Sequence, residues 1–292
     1  MKDEKLHVAF SSLAWAVVLT SAKLTVALIT GSLGLLSEAL HSALDLVAAG
    51  MTVYAVRQSA RPADRDHPFG HGKFENFSAL LETMLLVATS IWIVYEAVRR
   101  LTDPAFTGPE TSAWAFGVML FAIGIDLHRS RALMRVARAT GSQALEADAL
   151  HFSSDVWSST AVIAGLGFSA LGFPQADPVA ALVVAGVVLL VAFRLVKRSI
   201  DALLDKAPDG VPETLRAHVL DVPGVVSVGS VRVRSVGPDL HVEVVVKVDG
   251  SRSLASAHEV ADAVEAKVRV MHPSAHVSVH VEPAATPSPA RP

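Results

Sequence analysis

Two stretches of the chain carry the same arrangement of groups able to do chemistry: Ala39-Leu40-His41-Ser42-Ala43-Leu44-Asp45 and Ala149-Leu150-His151-Phe152-Ser153-Ser154-Asp155. Residues four apart on a helix stack on one face, so each copy points an imidazole and a carboxylate the same way. Facing each other, the two copies supply two nitrogen and two oxygen donors. That is a tetrahedral set for zinc, with bonds of about 2.0–2.2 Å. The two carboxylates neutralise a dication locally, which matters where the dielectric is low. Histidine must lose its proton to bind metal, so protons and metal compete for the same lone pairs. Such a site exchanges one for the other.

Both copies lie in long apolar runs, where an acid at the centre of a membrane helix costs roughly 2.5–3.5 kcal/mol on insertion scales. Each pair taken alone is accounted for as a polar bridge between helices. Its repetition with equal spacing at similar depth points instead to a metal or proton pathway. Glu38 and Asp148, three residues before each histidine, either line an access path or are polar residues between helices. Lys23 either pairs within the bundle or snorkels to the interface.

The elements that position these groups follow from the hydropathy. The chain has 292 residues, of which 51% are hydrophobic and 18% charged, with a mean hydropathy of +0.45. This is an integral membrane protein by composition. The net charge of -3 gives no support for nucleic-acid binding. Cysteine is absent, which excludes disulfides and thiolate ligands. A crossing takes about 20 residues. Six spans are predicted: Val8 to Ile29, Leu33 to Val56, Phe77 to Ala97, Trp114 to Leu127 continuing through the basic stretch to Arg138, Gly141 to Leu171, and Asp177 to Val196. The first reads as a retained span, with no evident cleavage site. Lys2 and Lys5, the 57–73 loop, the 129–138 loop and the 194–206 exit fall on one side, and by the positive-inside rule that side is the cytoplasm, with both termini.

Residues 1–200 thus form a transmembrane domain and residues 201–283 a soluble one, with a disordered Pro/Ala/Ser tail over 284–292. In the soluble part a helix over Pro212 to Leu220 is followed by Val-rich alternating strands over Val225 to Val236 and Leu240 to Val248. A helix over Leu254 to Val270 and a strand over Ala275 to Val281 complete an αββαβ pattern. This is a metallochaperone-like α+β domain.

These motifs, the Asp64 to Lys73 loop, the six spans and the terminal α+β domain together resemble the cation diffusion facilitator family of divalent-metal transporters, over nearly the whole chain to Glu282. The resemblance implies a homodimer in the cell (inner) membrane that exports zinc-like cations in exchange for protons by alternating access. His41, Asp45, His151 and Asp155 fall on the family's transport site. Asp64, His67 and His71 match a second metal site in a loop that otherwise reads as solvated and polar. Lys73 and Asp205 match a charged pair tying that loop to the domain boundary. Glu243, His258, His280 and Glu282 match a metal site between two soluble domains, although Gly229 stands where similar proteins often have a histidine. Two imidazoles favour zinc over manganese or magnesium, but not over cobalt, iron(II) or cadmium. A zinc hydrolase within the membrane is the competing class. Four ready ligands and the absence of His-Glu-x-x-His count against it.

Overall fold

The computed structural model describes residues 2–30, 33–103, 113–170, 173, 175–237 and 239–284. The chain divides into two compact units, residues 1–200 and 201–292. The tail predicted to be disordered lies almost wholly outside the described residues.

The first unit is built of long helices: α1 (Lys2–Thr30), α2 (Leu33–Ser59), α3 (Lys73–Thr102), α4 (Ala113–Thr140), α5 (Gln143–Ala170) and α6 (Ala176–Leu203, which runs into the second unit). Among the described residues α1, α3 and α6 are long and apolar enough to cross a membrane. The other three carry the acids, histidines and arginines on which the site is built. Large apolar side chains such as Trp92, Val183, Leu190 and Phe193 face outward, while the buried apolar positions are mostly alanine: Ala9, Ala16, Ala48, Ala49, Ala79 and Ala149 among them. Small residues let helix backbones approach closely where lipid offers no hydrophobic drive between helices. One cluster around the fully enclosed Phe152 joins α1, α2, α4 and α5.

Two expectations need correction. The third helix starts at Lys73 rather than Phe77, because Glu75 and Asn76 are buried and belong to its packed face. The 129–138 basic stretch is helical throughout, as part of α4, and is no loop; Arg129 is 3% exposed.

The second unit follows the predicted αββαβ order: α7 (Val211–Leu220), β1 (Ser227–Val236), β2 (Asp239–Val248), α8 (Leu254–Met271) and β3 (His276–Pro283). β1 pairs antiparallel with β2 across a tight turn that places Gly237 at φ 61°. β2 pairs parallel with β3, with α8 as the crossover. Alternate strand residues Val242, Val244 and Val246 pack with Leu215 and Val219 of α7 and Val264 and Val268 of α8. The opposite sheet face carries His241, Glu243, His276, Ser278 and His280, by the same two-residue period. Gly224 is required twice over at the end of the α7 turn, since its φ is 94° and a Cβ would meet Val260 Cγ2 at 2.7 Å.

Candidate metal centre

α2 and α5 bring Asp45, His151 and Asp155 together, with one ligand atom from each lying within 4.8 Å of the others. His151 Nε2 is 3.0 Å from Asp45 Oδ1 and 3.9 Å from Asp155 Oδ2. His41 lies in α2 one turn before Asp45, and its side chain is outside the described residues. A cavity of about 60 Å³ between α3, α5 and α6 reaches Asp155, lined also by Ser90, Ser154 and Ser158.

The histidine is held from several sides. The Phe152 ring stands edge-on to it at 5.5 Å, and the Arg129 guanidinium covers Phe152 at 3.5 Å. Ser130 donates to the Ala149 carbonyl at 2.8 Å, which ties α4 to the same turn of α5. Lys23 reaches into the bundle rather than out to the interface, donating to Ser42 Oγ at 2.8 Å, and Thr20 donates to the Ser42 carbonyl at 2.8 Å. The turn that carries His41 is thereby anchored to α1.

Sequence reasoning missed the polar partners of this centre. Arg129 donates to Asp126 (3.3 Å) and to Ser12 (3.1 Å), and Ser12 donates to Asp148 (3.3 Å). Glu82 takes hydroxyls from Thr52 (2.8 Å) and Ser78 (2.7 Å). Nearer the loop end of the same helices, Glu75 takes Lys5 at 2.7 Å, Ser59 at 2.8 Å and the Ser142 hydroxyl. The signal for Glu82 was present, as an acid within an apolar run that the cost of membrane burial singles out.

The loop residues Asp64, His67 and His71 also converge, with ligand atoms within 4.8 Å. Asp64 Oδ1 accepts the N–H groups of Asp66 (3.0 Å) and His67 (2.7 Å) in an Asx turn. The His67 N–H in particular holds the Asp64 carboxyl below its ordinary range. His71 Nδ1 faces the Pro62 carbonyl at 3.1 Å, and Nε2 lies 3.3 Å from Asp64 Oδ2; with Nδ1 donating to Pro62, Nε2 is the atom that can serve as a metal ligand.

In the second unit the four predicted residues do not form one group. Glu243 and His280 line a shallow cleft of about 200 Å³ with Arg232 and Ser278, and His280 is 3.9 Å from Glu282. His258 projects from α8 instead, 3.8 Å from Asp262. Asp205 accepts from Arg234 at 3.2 Å, and Lys73 opens α3 in the other unit.

Where β2 meets β3, the rings of His241 and His276 stack at 4.7 Å. Burial first, then His276 and Arg234, hold the His241 imidazole below the ordinary histidine value. A histidine with a depressed folded pKa contributes stability that is present above about pH 6.5 and is lost as pH falls. Hydrogen exchange at the β2 and β3 amides, corrected for its intrinsic pH dependence, should therefore lose protection between pH 7 and pH 5.5, and His241→Gln should flatten that loss. An equal loss in the variant would remove His241 as its cause.

The comparisons with known proteins agree on one family. Residues 9–204 match the cation efflux transmembrane domain and residues 207–284 the cytoplasmic domain of cation efflux proteins. The chain is 33% identical over 258 residues to the cation-efflux pump FieF of Yersinia enterocolitica, covering 88% of this chain and 85% of that one. It is 31% identical over 277 residues to the FieF of Pectobacterium atrosepticum, covering 94% and 91%. The solved MamM CTD D249N, nickel form, matches 27% of this chain and all of its own, at 28% identity and a TM-score of 0.26. The family models and the FieF relatives define an integral membrane cation efflux transporter. The chain belongs to the cation diffusion facilitator family.

Proposed function

We propose that this protein exports Zn²⁺ from the cytoplasm in exchange for protons, by alternating access around a site made by His41, Asp45, His151 and Asp155. The carrying observation is the convergence of Asp45, His151 and Asp155 from two different helices inside the bundle. A proton on His151 Nε2 is what allows it to meet the Asp45 carboxylate at 3.0 Å. A metal ion at that point needs the same lone pair, so metal binding expels the proton and proton binding expels the metal. Two carboxylates with neutral imidazole suit a tetrahedral zinc ion and leave it neutralised.

In this reading the six helices each cross the bacterial inner membrane, with both termini cytoplasmic, and two chains form a dimer. The Asp64, His67 and His71 loop binds a second ion. Glu243, His258, His280 and Glu282 take metal between the soluble domains of the two chains, where binding stabilises the dimer by linkage.

Sealed proteoliposomes with an imposed pH gradient test this. Zn²⁺ should move against its own gradient when protons run the other way, and the movement should stop when an ionophore collapses the gradient. Zinc flux indifferent to the proton gradient would refute exchange, and its absence in correctly inserted protein would refute zinc transport.

A further inference from the structure

The transport reading uses neither Glu82 nor Asp148, yet these are among the most enclosed acids in the bundle, at 2% and 0% exposure. Each is half satisfied. Both hydroxyls that reach Glu82 go to Oε1, and Oε2 is buried with no hydrogen-bond partner. Ser12 reaches Asp148 Oδ2, and Asp148 Oδ1 is buried with no partner. Among the described residues neither acid forms an ion pair: Arg129 is paired directly with Asp126, and Lys5 with Glu75.

An ionised carboxylate has only acceptors to offer, whereas a protonated one gains a donor. Two orphaned acceptor oxygens in a low-dielectric interior are therefore what one missing proton leaves behind. The two acids belong to one layer. α3 packs against α5, and Glu82 lies within reach of the charges of Asp148 and His151. The layer adjoins the metal centre, because Asp148 lies three residues before His151 on α5, about 4.5 Å along the axis. The charged and titratable groups facing the two acids are Asp45 from α2, Arg129 from α4 and His151 from α5, with Asp126, Asp155 and the α1 cation Lys23 next to these, and α1 also contributes Ser12.

We propose that Glu82 and Asp148 hold one exchangeable proton between them and release it when a divalent cation binds at Asp45, His151 and Asp155. This rests on the reading of those three residues as the transport site. Charge gives the reason. A dication entering between the two carboxylates adds positive charge beside the pair, and loss of a proton from the pair offsets part of it. The O–H bond at the pair breaks, the proton passes to water, and the step reverses when the metal leaves. The pair then adds about one proton per metal to the exchange.

The test uses the full-length protein in nanodiscs, titrated with Zn²⁺ in buffers of different ionisation enthalpy, which counts protons released per metal bound. Glu82→Gln should bind as many ions as the native protein and release about one proton fewer per chain, and Glu82→Asp should recover that proton. Loop and soluble-domain sites contribute equally to both proteins and drop out of the difference. If Glu82→Gln does not elute as native protein, Asp148→Asn takes its place with the same expectation. Unchanged proton release would overturn the proposal, and so would the loss of a bound metal, which would make the pair a cation ligand. Asp155→Ala separates the two readings. If it costs one metal while Glu82→Gln leaves the proton count unchanged, the proton pair alone has failed; if it costs none, the transport site has failed and the pair with it.

Discussion

Asp155→Ala should lower zinc flux by at least about 100-fold and remove one bound ion per chain, with Asp45→Ala doing the same. The floor comes from coordination chemistry: altering a group that merely orients a ligand costs roughly 10–100-fold in affinity or activity, and these are the ligands themselves. Electrostatics points further in the same direction. Opposite unit charges about 4 Å apart at an effective dielectric near 20 interact by about 4 kcal/mol, and a dication doubles that. Each tenfold in binding takes only about 1.4 kcal/mol. Removing either carboxylate leaves a dication with a single balancing charge inside the bundle. Asp155→Asn should fail almost as badly, since it keeps the volume and hydrogen bonding but not the charge. Asp45→Ala also strips His151 of its 3.0 Å partner, so its loss should extend to the pH dependence of whatever binding survives. The measurement is zinc uptake into proteoliposomes beside metal stoichiometry on the purified variants. Flux within a few-fold of native in both alanine variants would mean that the ion crosses somewhere else.

The sequence revealed this centre because its parts are local. A histidine and an aspartate four apart are legible in any helix, and their repetition some 110 residues later marks both halves. The Asp64, His67 and His71 turn is legible for the same reason, and so is the αββαβ unit, whose Val242, Val244 and Val246 alternate in plain view. What stayed hidden is held together across long separations. Lys5 and Glu75 are 70 residues apart, and Ser12 and Asp148 are 136 apart. Arg129 shows the failure most clearly: in sequence it opens a basic stretch that reads as a solvated loop, and only the packing of α4 against α1 and α5 shows it enclosed between Asp126, Ser12 and Phe152. Within one chain His258 stands apart from Glu243 and His280, for a reason the sequence does not display. The chemistry of a histidine near two acids is visible in one dimension, but α8 covers the core face of the sheet while Glu243 and His280 occupy the other.

The second large effect belongs to the hidden set and concerns stability. Glu75 is 1% exposed and gathers an ammonium and two hydroxyls from three other places: Lys5 on α1, Ser59 at the end of α2, and Ser142 at the turn before α5. Removing one member of a buried ion pair costs about 3–5 kcal/mol, because the other charge stays buried without compensation. Glu75→Ala strands Lys5 and frees two hydroxyls, so it should fall at the upper end of that range. Lys5→Met leaves the carboxylate its two hydroxyl donors and should fall at the lower end. Replacing both charges at once removes the stranded partner, so Lys5→Met with Glu75→Gln should recover most of the loss. Unfolding midpoints in detergent for the native protein, both single variants and the double variant close this cycle, and additive losses in the double variant would show that the pair is not coupled. None of these changes touches Asp45, His151 or Asp155, so folded Glu75 and Lys5 variants should still bind native numbers of metal ions. That outcome separates a bundle weakened at one end from a metal centre dismantled at its core.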